Sequence, residues 1–343
     1  MDREGILVVV VSLVVLGLSL REASVVSAAV TPQPAANGKT TLVRQYYKKL
    51  NTCKNAEAFV KQQVEMMWKR DKSLTAKLLK LLYADCMVNG CDGSILLNGA
   101  NSERNAIQNI GLRGYEAINT IKRMLEIRCR GVVSCSDILV IATRDAVALA
   151  GGPSYPVLLG RRDGRESKAS WIDYPSPSIT WEEGLAYFES KGLNVQDFVT
   201  LMGAHTMGKT HCRYILDRLY NYKNTSKPDP TMSLSLLKSL RKLCPPKTQK
   251  GQHDPLVYLT PEGHPENYKF TNTYYSRILK NQSVLTIDQQ LLYGADTNEL
   301  VNEYAAGFGD FKFGFALSMN RMTSLKVLTG TQGEIRRECS RTN

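Results

Sequence analysis

The sequence KLLYADCMVNGCDGSILL, residues 80–97, contains the features that decide the fold. Oxygen-bearing positions recur along it at the short intervals that suit a hard cation held by a single loop. These positions are Asp85, Val88, Gly90, Asp92 and Ser94, with Val88 and Gly90 offering backbone carbonyls. Cys86 and Cys91 can close the same loop as a disulfide. The stretch therefore predicts a calcium-binding loop stabilised by a disulfide.

The N-terminus has the pattern of a secretory signal peptide. Arg3 precedes an apolar run over residues 6–20, and small residues suitable for cleavage follow. We predict a signal peptide over residues 1–28 and a linker over residues 29–45. The run is shorter than the ~20 residues that cross a bilayer, and no later segment is long and apolar enough, so we expect no membrane attachment after cleavage. An uncleaved anchor is the alternative.

Composition favours a secreted, disulfide-bonded globular protein. The 343 residues are 43% hydrophobic, enough to bury a core in one large or two medium domains. Eight cysteines in an oxidising compartment predict four disulfides, although spacing selects no pairing beyond Cys86 with Cys91. Acceptor triplets for N-glycosylation begin at Asn224 and Asn281.

The formal net charge of +12 favours attraction to an acidic polymer. For a secreted protein we expect that polymer to be an acidic cell-wall polysaccharide. Nucleic acid is a weaker interpretation, because Lys and Arg are dispersed along the chain and no nucleic-acid-binding motif accompanies them.

Helical periodicity dominates the rest of the chain. Apolar residues recur at three-to-four spacing in segments 56–67, 74–83, 115–127, 135–150, 182–190, 195–202, 274–279, 300–307 and 311–322. Few segments resemble strands, and residues 244–270 are rich in Pro, Gly and Lys, which predicts an extended surface excursion. The pattern predicts a mostly helical protein with long loops.

Two motifs resemble those of the secretory plant (class III) heme peroxidases. Residues 80–97 are similar to the distal signature of that family, and VTLMGAHT, residues 199–206, is similar to its proximal-histidine motif. Further landmarks of the family occur in order at residues 113–116, 131–153, 159–164, 218–221 and 328–339. The resemblance implies an all-α plant-peroxidase fold whose two helical domains enclose one heme b. It places the distal domain at 46–170, the proximal domain at 171–325, and a C-terminal segment, 326–343, bridged back to the distal domain.

The resemblance also implies a specific set of internal links. The disulfides would join Cys53 to Cys129, Cys86 to Cys91, Cys135 to Cys339 and Cys212 to Cys244. Asp137 and Arg161 would form a buried ion pair. The alternative for that pair is two solvated surface charges.

On the proximal side, the resemblance assigns His205 as the heme iron ligand and Asp288 as the carboxylate behind it. A carboxylate there would accept the Nδ1 proton, fix the ring and increase its electron donation. A single His near the end of an apolar helix is more often a core or capping residue, but the surrounding motif favours the ligand.

The calcium ligands implied by the family are those of the 80–97 loop, with Glu103 acting through water. At a second calcium site of the family, Thr206 and Thr260 match. The two carboxylates of that site are replaced by Val257 and Thr271. Without those charges a divalent ion loses most of its attraction, so we predict one calcium and only a remnant of the second site at Thr206.

The distal pocket departs from the family. Lys80 and Ala84 stand where the family has an Arg and a His. Ala84 cannot transfer protons, and Lys80 keeps a positive charge without the planar fork of Arg. Asn109, which orients the distal His in the family, is retained. Pro175 matches a residue that lines the access of aromatic donors.

These features predict a secreted heme peroxidase that uses hydrogen peroxide to oxidise phenolic-type donors with reduced turnover. The alternative is an inactive heme- and calcium-containing pseudo-peroxidase that binds cell-wall polymer or a protein partner. A third hypothesis is a structural wall glycoprotein with an empty heme pocket. We expect a monomer, located outside the cell in the wall or apoplast, or in the vacuole.

Overall fold

The computed structural model describes residues 42–247, 253–260 and 268–343. The predicted signal peptide and most of the predicted linker lie outside these ranges. Within them, no helix is both long enough and apolar enough to cross a membrane.

Helices dominate the part of the chain that the structure describes. They are α1 Tyr46–Lys49, α2 Ala56–Arg70, α3 Leu74–Cys86, α4 Tyr115–Arg128, α5 Cys135–Leu149, α6 Trp181–Ser190, α7 Val195–Met202, α8 Leu216–Tyr220, α9 Leu234–Leu243, α10 Thr273–Leu279, α11 Thr286–Gln290, α12 Ala295–Ala306 and α13 Phe308–Met322. The predicted all-α class is confirmed.

The start of α7 shows why sequence patterns located the helices well. Asn194 accepts a hydrogen bond from the Asp197 amide, and the Asp197 side chain accepts one in return from the Asn194 amide. This capping box stabilises the first turn, and α7 has the predicted bounds. By contrast, α9 was missed, although Ser233 caps it and leucines at 236, 240 and 243 follow a helical spacing.

Within the described ranges, four short strands form two antiparallel pairs. β1 (Val43–Arg44) pairs with β2 (Leu158–Leu159), and β3 (Lys209–His211) pairs with β4 (Leu256–Tyr258). In the second pair, Lys209 lies opposite Tyr258. The predicted excursion over residues 244–270 therefore contributes a strand that braces the segment following His205.

Two groups of helices form the core. In the first, α5 is buried along most of its length and packs against α2, α3 and α4. In the second, α7 packs against α6, α12 and α13, and α10 packs against α12. The first group carries α3 and the second carries the segment that leads to His205. The domain boundaries given above remain a prediction.

All four disulfides join the predicted cysteines. Cys135 and Cys339 are 204 residues apart, so their bridge closes the longest loop. In the chain-entropy view, such a loop stabilises the fold by about 4–5 kcal/mol. The prediction of four bridges is confirmed, and no free cysteine occurs in the described residues.

The predicted ion pair is buried as expected. Arg161 Nη1 lies 2.8 Å from Asp137 Oδ1, and both side chains are fully buried. The Tyr47 hydroxyl donates to Asp137 at 2.7 Å, and Arg161 Nε donates to the Thr323 carbonyl at 2.9 Å. A buried ion pair needs further hydrogen bonds to both of its charged groups, and this pair has them. The same hydrogen bonds connect α1 and α5 to the end of α13.

Candidate functional site

His205 lies in a single turn, Gly203–Thr206, that continues directly from α7. A Cβ atom at Gly203 would collide with the Tyr275 hydroxyl and the Phe311 ring. The absence of a side chain therefore allows α10 and α13 to pack directly against this turn. Such close contact holds the backbone of His205 in place.

The His205 ring is oriented by two buried residues. Its Nδ1 lies 2.8 Å from Asp288 Oδ1, and the Tyr274 hydroxyl donates to the same oxygen at 2.9 Å. Asp288 and Tyr274 are almost fully buried, whereas the imidazole is 30% exposed. Among the described residues, Nε2 has no hydrogen-bond partner. The structure thus brings the predicted pair together and leaves one nitrogen of the ring free.

Tyr274 is a part of this cluster that sequence reasoning missed. Burial and the neighbouring Asp288 charge raise the pKa of its phenol well above the usual value. The phenol therefore stays protonated and donates its hydrogen bond throughout the physiological range. In the sequence, Tyr274 is one of two adjacent tyrosines in a short helix, and no motif there indicates a hydrogen bond to Asp288.

Helix α3 carries the second group of predicted residues, and it contacts the segment that follows His205. Gly208 has a φ of 102°, and a Cβ atom built on it would lie 3.6 Å from the Ala76 Cβ. Ala76 is one turn before Lys80 on α3. The approach of these backbones brings the segment after His205 against the helix of Lys80 and Ala84.

The Lys80 ammonium lies among tyrosine rings. Its Nζ is 4.6 Å from the Tyr83 ring centroid and 5.5 Å from that of Tyr174, and no carboxylate in the described residues pairs with it. Desolvation by the surrounding protein lowers the pKa of Lys80 to about 8. The side chain is nevertheless exposed, so contact with water limits that shift. Lys80 is an unpaired cation at an aromatic surface.

Ala84 is fully buried, and Tyr174 contacts its backbone. The Tyr174 hydroxyl donates to the Ala84 carbonyl at 2.8 Å. Asn109 Nδ2 donates to the Glu103 carbonyl at 2.9 Å, while the buried Asn109 Oδ1 has no hydrogen-bond partner of good geometry in the described residues. Tyr174 was not predicted, although it directly precedes Pro175.

The predicted calcium loop gathers the buried carboxylates of Asp85 and Glu103 and the partly buried one of Asp92. Asp85 accepts hydrogen bonds from the Gly93 amide at 3.0 Å and the Ile95 amide at 3.4 Å. The Ser94 hydroxyl donates to Glu103 at 3.2 Å. The second Glu103 oxygen, Oε1, is buried without a partner among the described residues.

Burial, and then mutual repulsion, make these carboxyl groups harder to ionise. Burial and the Asp92 charge raise the pKa of Asp85 well above its usual value. The same two causes raise the pKa of Glu103 to about 8. A cation bound among them would reverse both effects, so the donor set suits a hard cation.

No three His, Cys, Asp or Glu side chains form a metal-binding group anywhere in the described ranges. The predicted calcium loop does not depend on such a group, because in the prediction only Asp85 and Asp92 would bind directly through carboxylates. Its other predicted direct ligands are a hydroxyl and two carbonyls, which are common for calcium.

The predicted remnant of a second site is built from hydroxyl groups. Thr206 Oγ1 lies 3.1 Å from Thr271 Oγ1, and the Thr260 hydroxyl donates to the Thr206 carbonyl at 3.1 Å. Val257 is buried in β4 opposite Thr210. Of the two positions where the family has a carboxylate, Thr271 makes a neutral hydrogen bond with Thr206, and Val257 is a buried apolar side chain.

One surface cavity of about 230 Å³ lies elsewhere on the molecule. Its lining includes Thr180, Asp217 and Asn224, and none of the predicted site residues. Side-chain chemistry, and not cavity size, therefore identifies the His205 and α3 regions as the candidate site.

Comparison with known proteins gives a consistent result. A family model described as "Peroxidase" matches residues 60–307, which include the 80–97 loop and the 199–206 motif. The chain is 59% identical to "Probable peroxidase 61" of Arabidopsis thaliana over 316 residues, covering 92% of this chain and 93% of that protein. It is 57% identical to "Probable peroxidase 26" of the same plant, with coverages of 88% and 90%. Identity to "Peroxidase 25", also of Arabidopsis thaliana, is 40%, with coverages of 87% and 90%.

Proposed function

The chain belongs to the secretory plant peroxidase family, and from that premise we propose that it is a secreted heme peroxidase with reduced turnover. It uses hydrogen peroxide to oxidise small phenolic-type donors. The observation that carries this proposal is the His205 imidazole, whose Nδ1 is hydrogen-bonded to Asp288 while its Nε2 has no partner in the part of the chain that the structure describes.

The proximal residues suit a heme iron. His205 would bind the iron through Nε2, and Asp288 would hold the proton on Nδ1 and increase the basicity of the ring. Tyr274 shares the Asp288 oxygen and so moderates that effect. When bound, heme supplies the electrons that reduce peroxide and is restored by electrons from the donors.

The distal residues support the proposed reduction in turnover. Proton transfer by a positioned side chain contributes about 10²- to 10⁴-fold, and Ala84 has no group that transfers protons. Lys80 supplies a positive charge that stabilises negative charge developing on the departing oxygen. By the resemblance to the family, Asn109 would lie beside the pocket and Pro175 along the donor access.

Calcium would bind at the 80–97 loop. Its direct ligands would be Asp85, Val88, Gly90, Asp92 and Ser94, with Glu103 linked through water. One buried Glu103 oxygen has no partner among the residues that the structure describes. This supports the assignment, because burying such an oxygen without a partner is costly. The hydroxyl cluster around Thr206 carries no charge, which supports a single calcium per chain.

Secretion, an extracellular or vacuolar location, and binding to acidic wall polymer complete the proposal. Asn224 and Asn281 are both exposed, as glycan attachment requires. The net charge of +12 supports retention on acidic polysaccharide. The protein acts as a monomer.

Absorption spectroscopy tests the proposal. Purified protein expressed through a secretory route is expected to show a Soret band with one heme per chain, and to oxidise a small phenol slowly at micromolar peroxide. Colourless folded protein would refute the heme function and favour the structural glycoprotein.

An inactive pseudo-peroxidase is the second candidate, and the burial of Ala84 beneath Tyr174 is the observation that favours it. Heme-containing protein that shows no spectral change with peroxide would support it. Salt-sensitive retention on an acidic polysaccharide would then identify its partner class.

A further inference from the structure

Ala84 is completely buried, with an exposure of 0%, although its side chain is only a methyl group. Tyr174 is one of the residues that contact Ala84, because its hydroxyl donates to the Ala84 carbonyl at 2.8 Å. The residue before a proline favours an extended backbone, and Pro175 therefore helps to direct Tyr174 across this helix.

The Tyr174 ring belongs to the same surface as Lys80. Its centroid lies 5.5 Å from the Tyr83 centroid, and Lys80 Nζ lies near the faces of both rings. Tyr174 therefore contacts both the backbone of Ala84 and the Lys80 ammonium.

The Tyr174 hydroxyl has one acceptor among the described residues, the Ala84 carbonyl. Burial raises the pKa of the phenol, and the nearby Asn109 side chain lowers it, as a group that donates to the phenol oxygen does. Asn109 is 2% exposed, and its Oδ1 has no partner of good geometry in the described residues. A phenol has one proton, so the hydroxyl can leave the Ala84 carbonyl and turn toward another acceptor.

We propose that Tyr174 takes the place of the missing distal imidazole and is the hydrogen-bond donor of this pocket toward a peroxide oxygen. The inference rests on the proposed heme peroxidase function. Tyr174 keeps its proton and no bond in it breaks. The Tyr174 hydroxyl stabilises negative charge on the departing oxygen. Lys80, which lies beside the Tyr174 ring, adds its positive charge.

A neutral phenol replaces only half of what an imidazole does. It donates a hydrogen bond, but at neutral pH it does not take up the proton of incoming peroxide. A pocket of this kind reacts more slowly than one with an imidazole, and faster than one with Ala84 alone.

The first experiment tests the position of Tyr174 without heme. In calcium-saturated, heme-free protein, Ala84→His is expected to lower Tm by about 2–6 °C, because the imidazole meets a filled space. In a Tyr174→Ala background the same substitution is expected to leave Tm unchanged or raise it. An equal loss in both backgrounds would overturn the proposed position.

The second experiment tests the donor role, with fluoride as the probe for the ferric heme protein. Fluoride accepts a hydrogen bond, so Tyr174→Phe is expected to raise its dissociation constant about tenfold. The rate of reaction with peroxide is expected to fall about 10²-fold. The matched control is Tyr187→Phe, which removes a hydroxyl that donates to the Met87 carbonyl at 3.1 Å, and it is expected to stay within about twofold of the wild type.

The outcomes separate this inference from the proposed function. Wild-type protein without a Soret band refutes the proposed function and the donor role together. A normal Soret band with unchanged fluoride affinity in Tyr174→Phe refutes only the donor role. A loss of fluoride affinity in Tyr187→Phe equal to that in Tyr174→Phe would refute it as well.

Discussion

The His205 side and the Ala84 side of the candidate site are both carried by helices, but they differ in the side chain that the helix places at the site. His205 follows α7 and has its ring held by Asp288 and, through that carboxylate, by Tyr274. Ala84 lies in α3 and presents only a buried methyl group beneath Tyr174. Helix α3 continues through Ala84 to Cys86 although it presents no proton-transferring side chain at that position.

The largest expected effect tests the His205 side. His205→Ala removes the only proposed bond from the protein to the iron, and we expect the Soret band to disappear. Asp288→Asn, which keeps the shape but removes the charge, is expected to weaken heme binding about 10- to 100-fold. Heme titration of the apo-proteins measures both, and a normal Soret band in His205→Ala would contradict the assignment.

The next effect tests the Ala84 side. The triple variant combines Lys80→Arg, Ala84→His and Tyr174→Ala. It supplies a planar cation and a base, and it removes the Tyr174 ring that contacts position 84. We expect the rate of reaction with peroxide to rise about 10²- to 10⁴-fold in stopped-flow measurements. Lys80→Arg with Ala84→His alone is also expected to increase the rate, but less, because Tyr174 remains. No increase in the triple variant would show that the limitation lies elsewhere.

A smaller effect compares the calcium loop with and without its ion. In chelated protein, the raised pKa values of Asp85 and Glu103 mean that the folded state keeps protons that the unfolded state releases above about pH 4. Stability of the chelated protein therefore falls as pH rises from about 4 through the Glu103 pKa of about 8.

Calcium is expected to offset this loss, raising Tm by about 4 °C at pH 8 and by less at pH 5. Thermal unfolding with calcium and with a chelator at the two pH values measures the difference. The same calcium effect at both pH values would contradict the role assigned to these carboxylates.

The smallest effect concerns the second, hydroxyl-based cluster. Thr206→Val removes one hydrogen bond to Thr271, and we expect a loss of about 1 kcal/mol in the free energy of unfolding. Calcium content is expected to be one ion per chain in both proteins by atomic spectroscopy. Two ions in the wild type, falling to one in the variant, would contradict the prediction of a single site.

Much of the fold was predictable because its signals are local. Helical spacing located α7 with its observed bounds, and the resemblance supplied four disulfides that the structure contains. The miss at α9 had a local signal too, in Ser233 and the leucine spacing that follows it. The structure also gave the 244–270 excursion a strand, which composition did not indicate.

The candidate site was predictable only where a motif identifies a residue. His205 and Asp288 were paired by resemblance, and they meet across 83 residues of sequence. Tyr174 and Tyr274 had no motif, and their roles arise from contacts made by the folded chain. Tyr174 reaches Ala84 across 90 residues.

The sequence by itself determined the helical class, the cysteines available for bridging, the charge, and the presence of Lys80 and Ala84 in α3. Each of these properties depends on residue identity and on spacing within a few turns. Only the tertiary structure decided what covers Ala84, which hydroxyl shares the Asp288 oxygen, and that threonines close the second cluster with hydrogen bonds. Those outcomes depend on which distant side chains fill the same space, and close packing decides that only after the chain has folded.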